Sequence, residues 1–202
     1  NTNWTKSNSP YNLIGEVQLA YGATLTIDPG VTINGNGNVL TIFGKLSSIG
    51  TPSSFVILNN MNIQSSSNTT GSTNELAEIV IQYSKLYGGN LLRNYSGSTI
   101  GSLILKDSEL YTVNNKNGNG YLYIYSPQSE TVIERNFFHN SGTIITYTSN
   151  GSIIVYIRNN VFNWTMDTTN PRTYMEKTSA VVNINNPATC CPINITVQTI
   201  VQ

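Results

Sequence analysis

The chain has little charge. Ten basic and ten acidic residues make up 10% of its 202 positions and cancel to a formal net charge of zero. Soluble domains typically carry about 25% charged residues. Such a chain has no basic surface for electrostatic capture of nucleic acid or an anionic membrane, so neither is an expected partner. No apolar run approaches the roughly 18 residues that cross a bilayer. The start at Asn1-Thr2-Asn3-Trp4 reads as that of a mature or trimmed chain.

Residues that carry chemistry are equally scarce. The single histidine, His139, cannot build a multi-His metal site. It follows Phe138 and reads as a structural residue. The two cysteines are neighbours, Cys190 and Cys191. They fit two partly buried thiols or a strained vicinal disulfide, and both readings stay open. The acidic residues include no Asp-Asp or tight acidic pair of the kind glycoside hydrolases use, and no Gly-x-Ser-x-Gly elbow marks a nucleophile. No catalytic residue, metal or cofactor is therefore expected. Six Asn-x-Ser/Thr patterns occur (Asn3, Asn68, Asn94, Asn150, Asn163 and Asn194), about as many as chance gives in so Asn-rich a chain.

What the chain does have is a repeat. Leu105-Lys-Asp-Ser-Glu-Leu110 is echoed by Leu58 to Ile63, Ile81 to Leu86, Ile133 to Phe138 and Ile157 to Phe162. The opening residues are 23, 24, 28 and 24 apart. Each copy opens on an aliphatic residue and closes on an apolar one, with polar residues between. A period near two dozen with strand-like content predicts a solenoid of stacked turns. The expected architecture is one all-β domain, a right-handed parallel β-helix of roughly six to eight coils over residues 1–202. Residues 1–11 are expected to cap the first turn. The polar stretches 65–75, 114–120 and 166–173 are expected to protrude as loops. Ala180 to Ile184 and Ile193 to Val197 read as further strands.

The segment Gly22-Ala-Thr-Leu-Thr-Ile-Asp-Pro-Gly-Val-Thr-Ile33, followed by Leu40-Thr-Ile-Phe-Gly-Lys-Leu-Ser-Ser-Ile-Gly-Thr51, resembles the opening turns of secreted right-handed parallel β-helix proteins of the pectate-lyase-like group. Ile133 to Phe138 and Ile157 to Phe162 resemble that group's internal repeats. The resemblance covers about residues 12–165. It implies the fold but not one activity, because the group includes lyases, hydrolases, epimerases, adhesins and binding modules.

Stacking puts equivalent positions about 4.8 Å apart. The first and last positions of each copy should form inward rows, and Ser84, Ser108, Asn136 and Asn160 a corner ladder. Gln82, Lys106, Glu134 and Arg158 should line an outward face, with Lys85 beside Glu109. In Tyr121-Leu-Tyr-Ile-Tyr125 the period-two alternation turns Leu122 and Ile124 inward and the tyrosines outward, with Tyr147 one turn later near the same face. Outward tyrosines offer CH–π platforms to sugar rings, although tyrosine also simply favours strands.

Two functions of different class follow. One is a non-catalytic polysaccharide-binding or adhesion module, secreted or on the cell surface, docking cellulose or another glycan on Tyr121, Tyr123, Tyr125 and Tyr147, with flanking domains in a larger chain. It resembles cellulose-binding adhesins of the tapirin type in architecture and flat aromatic face. The other is a polysaccharide lyase, hydrolase or epimerase, or a fragment of one, built around Lys106, Glu134, Arg135 and Arg158. A stalk domain of a larger surface protein is a third option.

Overall fold

The computed structural model describes residues 1–66, 76–93, 100–114, 121–125, 127–129, 131–147, 155–163 and 195–199. The loops expected at 65–75 and 114–120 fall mostly outside these residues. The loop at 166–173, the strand at 180–184 and the two cysteines fall entirely outside them.

The chain lays down strands in threes. β1 (Thr2–Trp4), β2 (Tyr11–Asn12) and β3 (Val17–Leu19) come first, then β4 (Thr24–Ile27), β5 (Thr32–Asn34) and β6 (Val39–Ile42). Next are β7 (Lys45–Ile49), β8 (Val56–Asn59) and β9 (Asn62–Ser65), and β10 (Glu78–Gln82), β11 (Ser84–Tyr87) and β12 (Asn90–Leu91). β13 (Ser102–Lys106), β14 (Glu109–Tyr111) and β15 (Tyr121–Tyr125) precede β16 (Thr131–Glu134), β17 (Phe137–His139) and β18 (Thr143–Tyr147). β19 (Val155–Asn163) bends across two sides, and β20 (Ile195–Thr199) pairs with it.

Every third strand is a neighbour. The order β1-β4-β7-β10-β13-β16-β19 makes the first side, and β2-β5-β8-β11-β14-β17-β19 the second. The third holds β3-β6-β9-β12 and the pair β15-β18. All these pairings are parallel, and the chain is a β-solenoid of about five turns. That is slightly fewer than the expected six to eight coils. Residues 1–11 contribute β1, which stacks on β4, and the start of β2, which stacks on β5.

Alternation explains the strands. In β4, Leu25 and Ile27 are buried while Thr26 is exposed. Ile27, Ser48, Ile81, Leu105, Ile133 and Ile157 share one register row, and all are buried. Each such aliphatic side chain contributes about 1.5–3 kcal/mol relative to exposure. Leu86, Leu110 and Phe138 stack on the second side, as expected, and the backbone register carries the row on to Phe162.

Corners are made by single residues in the left-handed region. Tyr83 (φ 46), Asp107 (φ 50), Arg135 (φ 54) and Asn159 (φ 56) occupy one corner of successive turns. A side chain in that conformation costs roughly 1–2 kcal/mol. The buried residue that follows offsets it. Ser84 N–H donates to Ser108 Oγ (3.1 Å), Ser108 N–H to Asn136 Oδ1 (3.0 Å) and Asn136 N–H to Asn160 Oδ1 (2.9 Å). The expected ladder is present, and Ser48 extends it through a 3.3 Å hydroxyl contact with Ser84.

One copy of the repeat is out of phase. Leu58 pairs with Leu86, and Ile63 with Leu91, so Leu58 to Ile63 turns the next corner rather than this one. The place expected for Leu58, beside Ile81, is taken by Ser48. The reason is physical: each corner needs an apolar strand end, a polar bend and another apolar strand, so six residues fit two corners equally well. Glu134 also departs from expectation. It lies in the outward row, yet only 7% of it is exposed, because three long cationic side chains converge on it.

Candidate functional site

The tyrosine strand sits where its alternation predicts. Tyr121 is opposite Thr143, Tyr123 opposite Ile145, and Tyr125 opposite Tyr147. Leu122 and Ile124 are each 1% exposed, and Tyr123 between them is half-buried. The side chains of Tyr121, Tyr125 and Tyr147 lie outside the described ones, so the structure contributes only their backbone register.

A second row, on the neighbouring side, is described atom by atom. Asn12, Asn34, Asn59, Tyr87, Tyr111 and His139 follow one another in register from β2 to β17. Asn34 Nδ2 donates to Asn12 Oδ1 (2.9 Å), and Asn59 Nδ2 to Asn34 Oδ1 (3.0 Å). The amides are oriented along the axis by one another. Above them the rings of Tyr87 and Tyr111 stack at 5.0 Å and 11°, and Tyr111 meets His139 at 5.5 Å and 49°. Phe137, two residues before His139 on the same strand, lies 5.9 Å from it. Rings stacked along the axis cover one another's faces and leave their edges for contact, with the Tyr111 hydroxyl turned to Glu109. Tyr87 is 40% exposed.

The row was readable. Tyr87, Tyr111 and His139 each follow the closing apolar residue of a repeat copy, the position after the six that define the motif.

Beside this row, Lys85 Nζ lies 3.1 Å from Glu109 Oε2, and Tyr111 Oη donates to the same oxygen at 2.7 Å. The carboxylate beside the phenol pushes Tyr111 up to about 12, with burial adding to it.

The charged corner assembles as the stacking implies. Arg135 grips Asp107 with Nε (2.6 Å) and Nη2 (2.9 Å), and its Nη1 reaches Glu134 at 2.8 Å. Lys106 Nζ is 3.6 Å and Arg158 Nε 3.2 Å from Glu134. The Arg158 contact is one of charge rather than an aligned hydrogen bond, since its Nε finds no hydrogen-bond acceptor. The Arg135 hydrogen bond, against the opposing effect of burial and with help from Gln82, holds Asp107 below the usual carboxylate range. Burial pushes Glu134 up, but Arg158, Arg135 and Lys106 together outweigh it and hold the carboxyl low. A general acid needs a raised carboxyl pKa. Both carboxylates here are instead kept ionised and are matched by guanidinium groups. Among the described residues, no group of three or more His, Cys, Asp or Glu is placed to hold a metal ion. No described helix is long and apolar enough to cross a membrane.

No family model, curated protein or solved structure matches this chain.

Proposed function

We propose that the protein is a non-catalytic polysaccharide-binding module, acting outside the cell or at its surface. The observation that carries this reading is the axial row from Asn12 to His139. It repeats uncharged hydrogen-bonding groups and ring edges once per turn. A linear glycan laid along the rod meets a similar group at each coil spacing, about 4.8 Å. Binding of this kind suits a surface of low net charge, and Tyr121, Tyr123, Tyr125 and Tyr147 on the next side would widen it.

The enzymatic alternative draws on the convergence of Lys106, Glu134, Arg135 and Arg158. That group is occupied with its own ion pairs, which supports a structural role for it more than a reacting one.

The test is retention on insoluble glycans: cellulose, xylan, mannan and chitin. Tyr87→Ala with Tyr111→Ala should reduce retention at least several-fold, and Tyr123→Ala with Tyr125→Ala to a smaller degree. Wild-type protein that stays unbound on every polymer would remove the reading. New double bonds or reducing ends from uronate polymers would replace it with the enzymatic one.

A further inference from the structure

A groove of about 360 Å³ lies at a different corner, where three successive turns enter the first side. Its residues come in three short runs: Gly22 to Thr24, Phe43 to Lys45, and Leu76 with Glu78. The stacking sorts them by chemistry. Thr24, Lys45 and Glu78 are in one register row, so a hydroxyl, an ammonium and a carboxylate line one edge. Lys45 Nζ and Glu78 Oε2 are 3.2 Å apart, and both side chains are about half exposed. Phe43 and Leu76, each two residues before a member of that row, add apolar surface to the lining. The Phe43 ring is braced by Tyr21 at 5.0 Å and 57°.

The floor is shallow because it must be built from small residues. A Cβ on Gly44 would lie 2.2 Å from the Ala23 carbonyl oxygen and 2.5 Å from that of Ala20. Backbone of the preceding turn therefore passes directly beneath.

We propose that this groove binds a neutral pyranose oligosaccharide laid along the rod axis. The inference rests on the polysaccharide-binding reading and gives it a second, specific subsite. A pyranose ring has an apolar C–H face and a rim of hydroxyls, which matches a lining that combines Phe43 and Leu76 with Thr24, Lys45 and Glu78. Lys45 and Glu78 cancel in charge while offering a donor and an acceptor side by side, the arrangement that vicinal hydroxyls satisfy. Because the two opposite charges sit side by side, a charged sugar gains no net attraction over a neutral one. Three coils span about 10 Å, enough for two rings in line.

The experiment titrates ¹⁵N-labelled protein with cellotetraose, xylotetraose, mannotetraose and trigalacturonate. The amides of Gly22, Thr24, Gly44 and Lys45 should shift with at least one neutral tetrasaccharide, and not with trigalacturonate. Phe43→Ala should weaken that binding roughly 5–10-fold. Glu78→Gln, which alters an exposed ion pair and leaves the fold intact, should weaken it roughly 2–5-fold. Polymer retention is measured alongside on the same proteins. Retention by wild type without shifts at these amides, or affinity unchanged in both variants, overturns this subsite and leaves the broader reading in place. Preferential shifts with trigalacturonate also overturn it. Wild-type protein that neither binds polymer nor shifts with any sugar overturns both.

Discussion

Asn160 Oδ1 accepts two hydrogen bonds from Asn136, one from its backbone N–H at 2.9 Å and one from its side-chain amide at 3.0 Å. Asn136 repeats the pattern downward: its Oδ1 accepts from Ser108 N–H, and its Nδ2 donates to the Leu105 carbonyl. Both asparagines are buried. Each satisfies backbone groups of the preceding turn that the bend removes from strand pairing.

Asn136→Ala leaves the Ser108 N–H and the Leu105 carbonyl buried without these partners. The expected loss is roughly 2–4 kcal/mol. Urea unfolding at constant m-value measures it, and a change below about 0.5 kcal/mol would contradict the ladder's role.

Asp107 and Glu134 make stability depend on acid. Their folded-state pKa values lie below the ordinary 3.8 and 4.5. Their contribution is therefore complete above those values and is lost as pH falls through the depressed folded values. Chemical-denaturation midpoints should hold from neutral pH to about 5 and fall below about 4.5. Asp107→Asn and Glu134→Gln should each flatten part of that fall. Parallel curves for wild type and both variants would show that other carboxylates govern it.

Tyr111 should show itself at the alkaline end. Its phenol is pushed from 10.0 up to about 12, first by its hydrogen bond to Glu109. The difference in 295 nm absorbance between wild type and Tyr111→Phe should titrate near pH 12. The stability that Tyr111 contributes is full below 10 and lost as pH rises through 12. Glu109→Gln should move the difference titration back toward 10, and a difference curve centred at 10 in wild type would refute the contact.

Two glycines separate close approach from open space. At Gly44 an added Cβ meets backbone oxygens, while at Gly15 it meets nothing within 4 Å. Gly44→Ala should cost about 1–3 kcal/mol or more, and Gly15→Ala should stay within about 0.5 kcal/mol. Thermal and urea unfolding of the two variants, compared directly, decide it.

Much of this was legible without coordinates, for identifiable reasons. Ser84, Ser108, Asn136 and Asn160 recur at 24, 28 and 24 residues, and each copy places them before a closing apolar residue. The partnership of Lys85 with Glu109 followed from the same alignment. The Leu58 copy failed because its pattern also fits the next corner. The Tyr87–Tyr111–His139 row lies one position outside the six-residue motif, so the repeat pattern alone does not mark it, whereas the tyrosines of β15 are dense enough to stand out.

The sequence by itself determined that this chain coils into a parallel β-solenoid, because a period of about two dozen residues with alternating apolar positions can bury its apolar rows only by stacking turn on turn. The tertiary structure decided the phase of each turn, and with it which side chains meet. Interstrand hydrogen bonds fix whether Leu58 stands on Ile81 or on Leu86. A shift of one corner leaves the hydrophobic pattern intact and changes every outward neighbour.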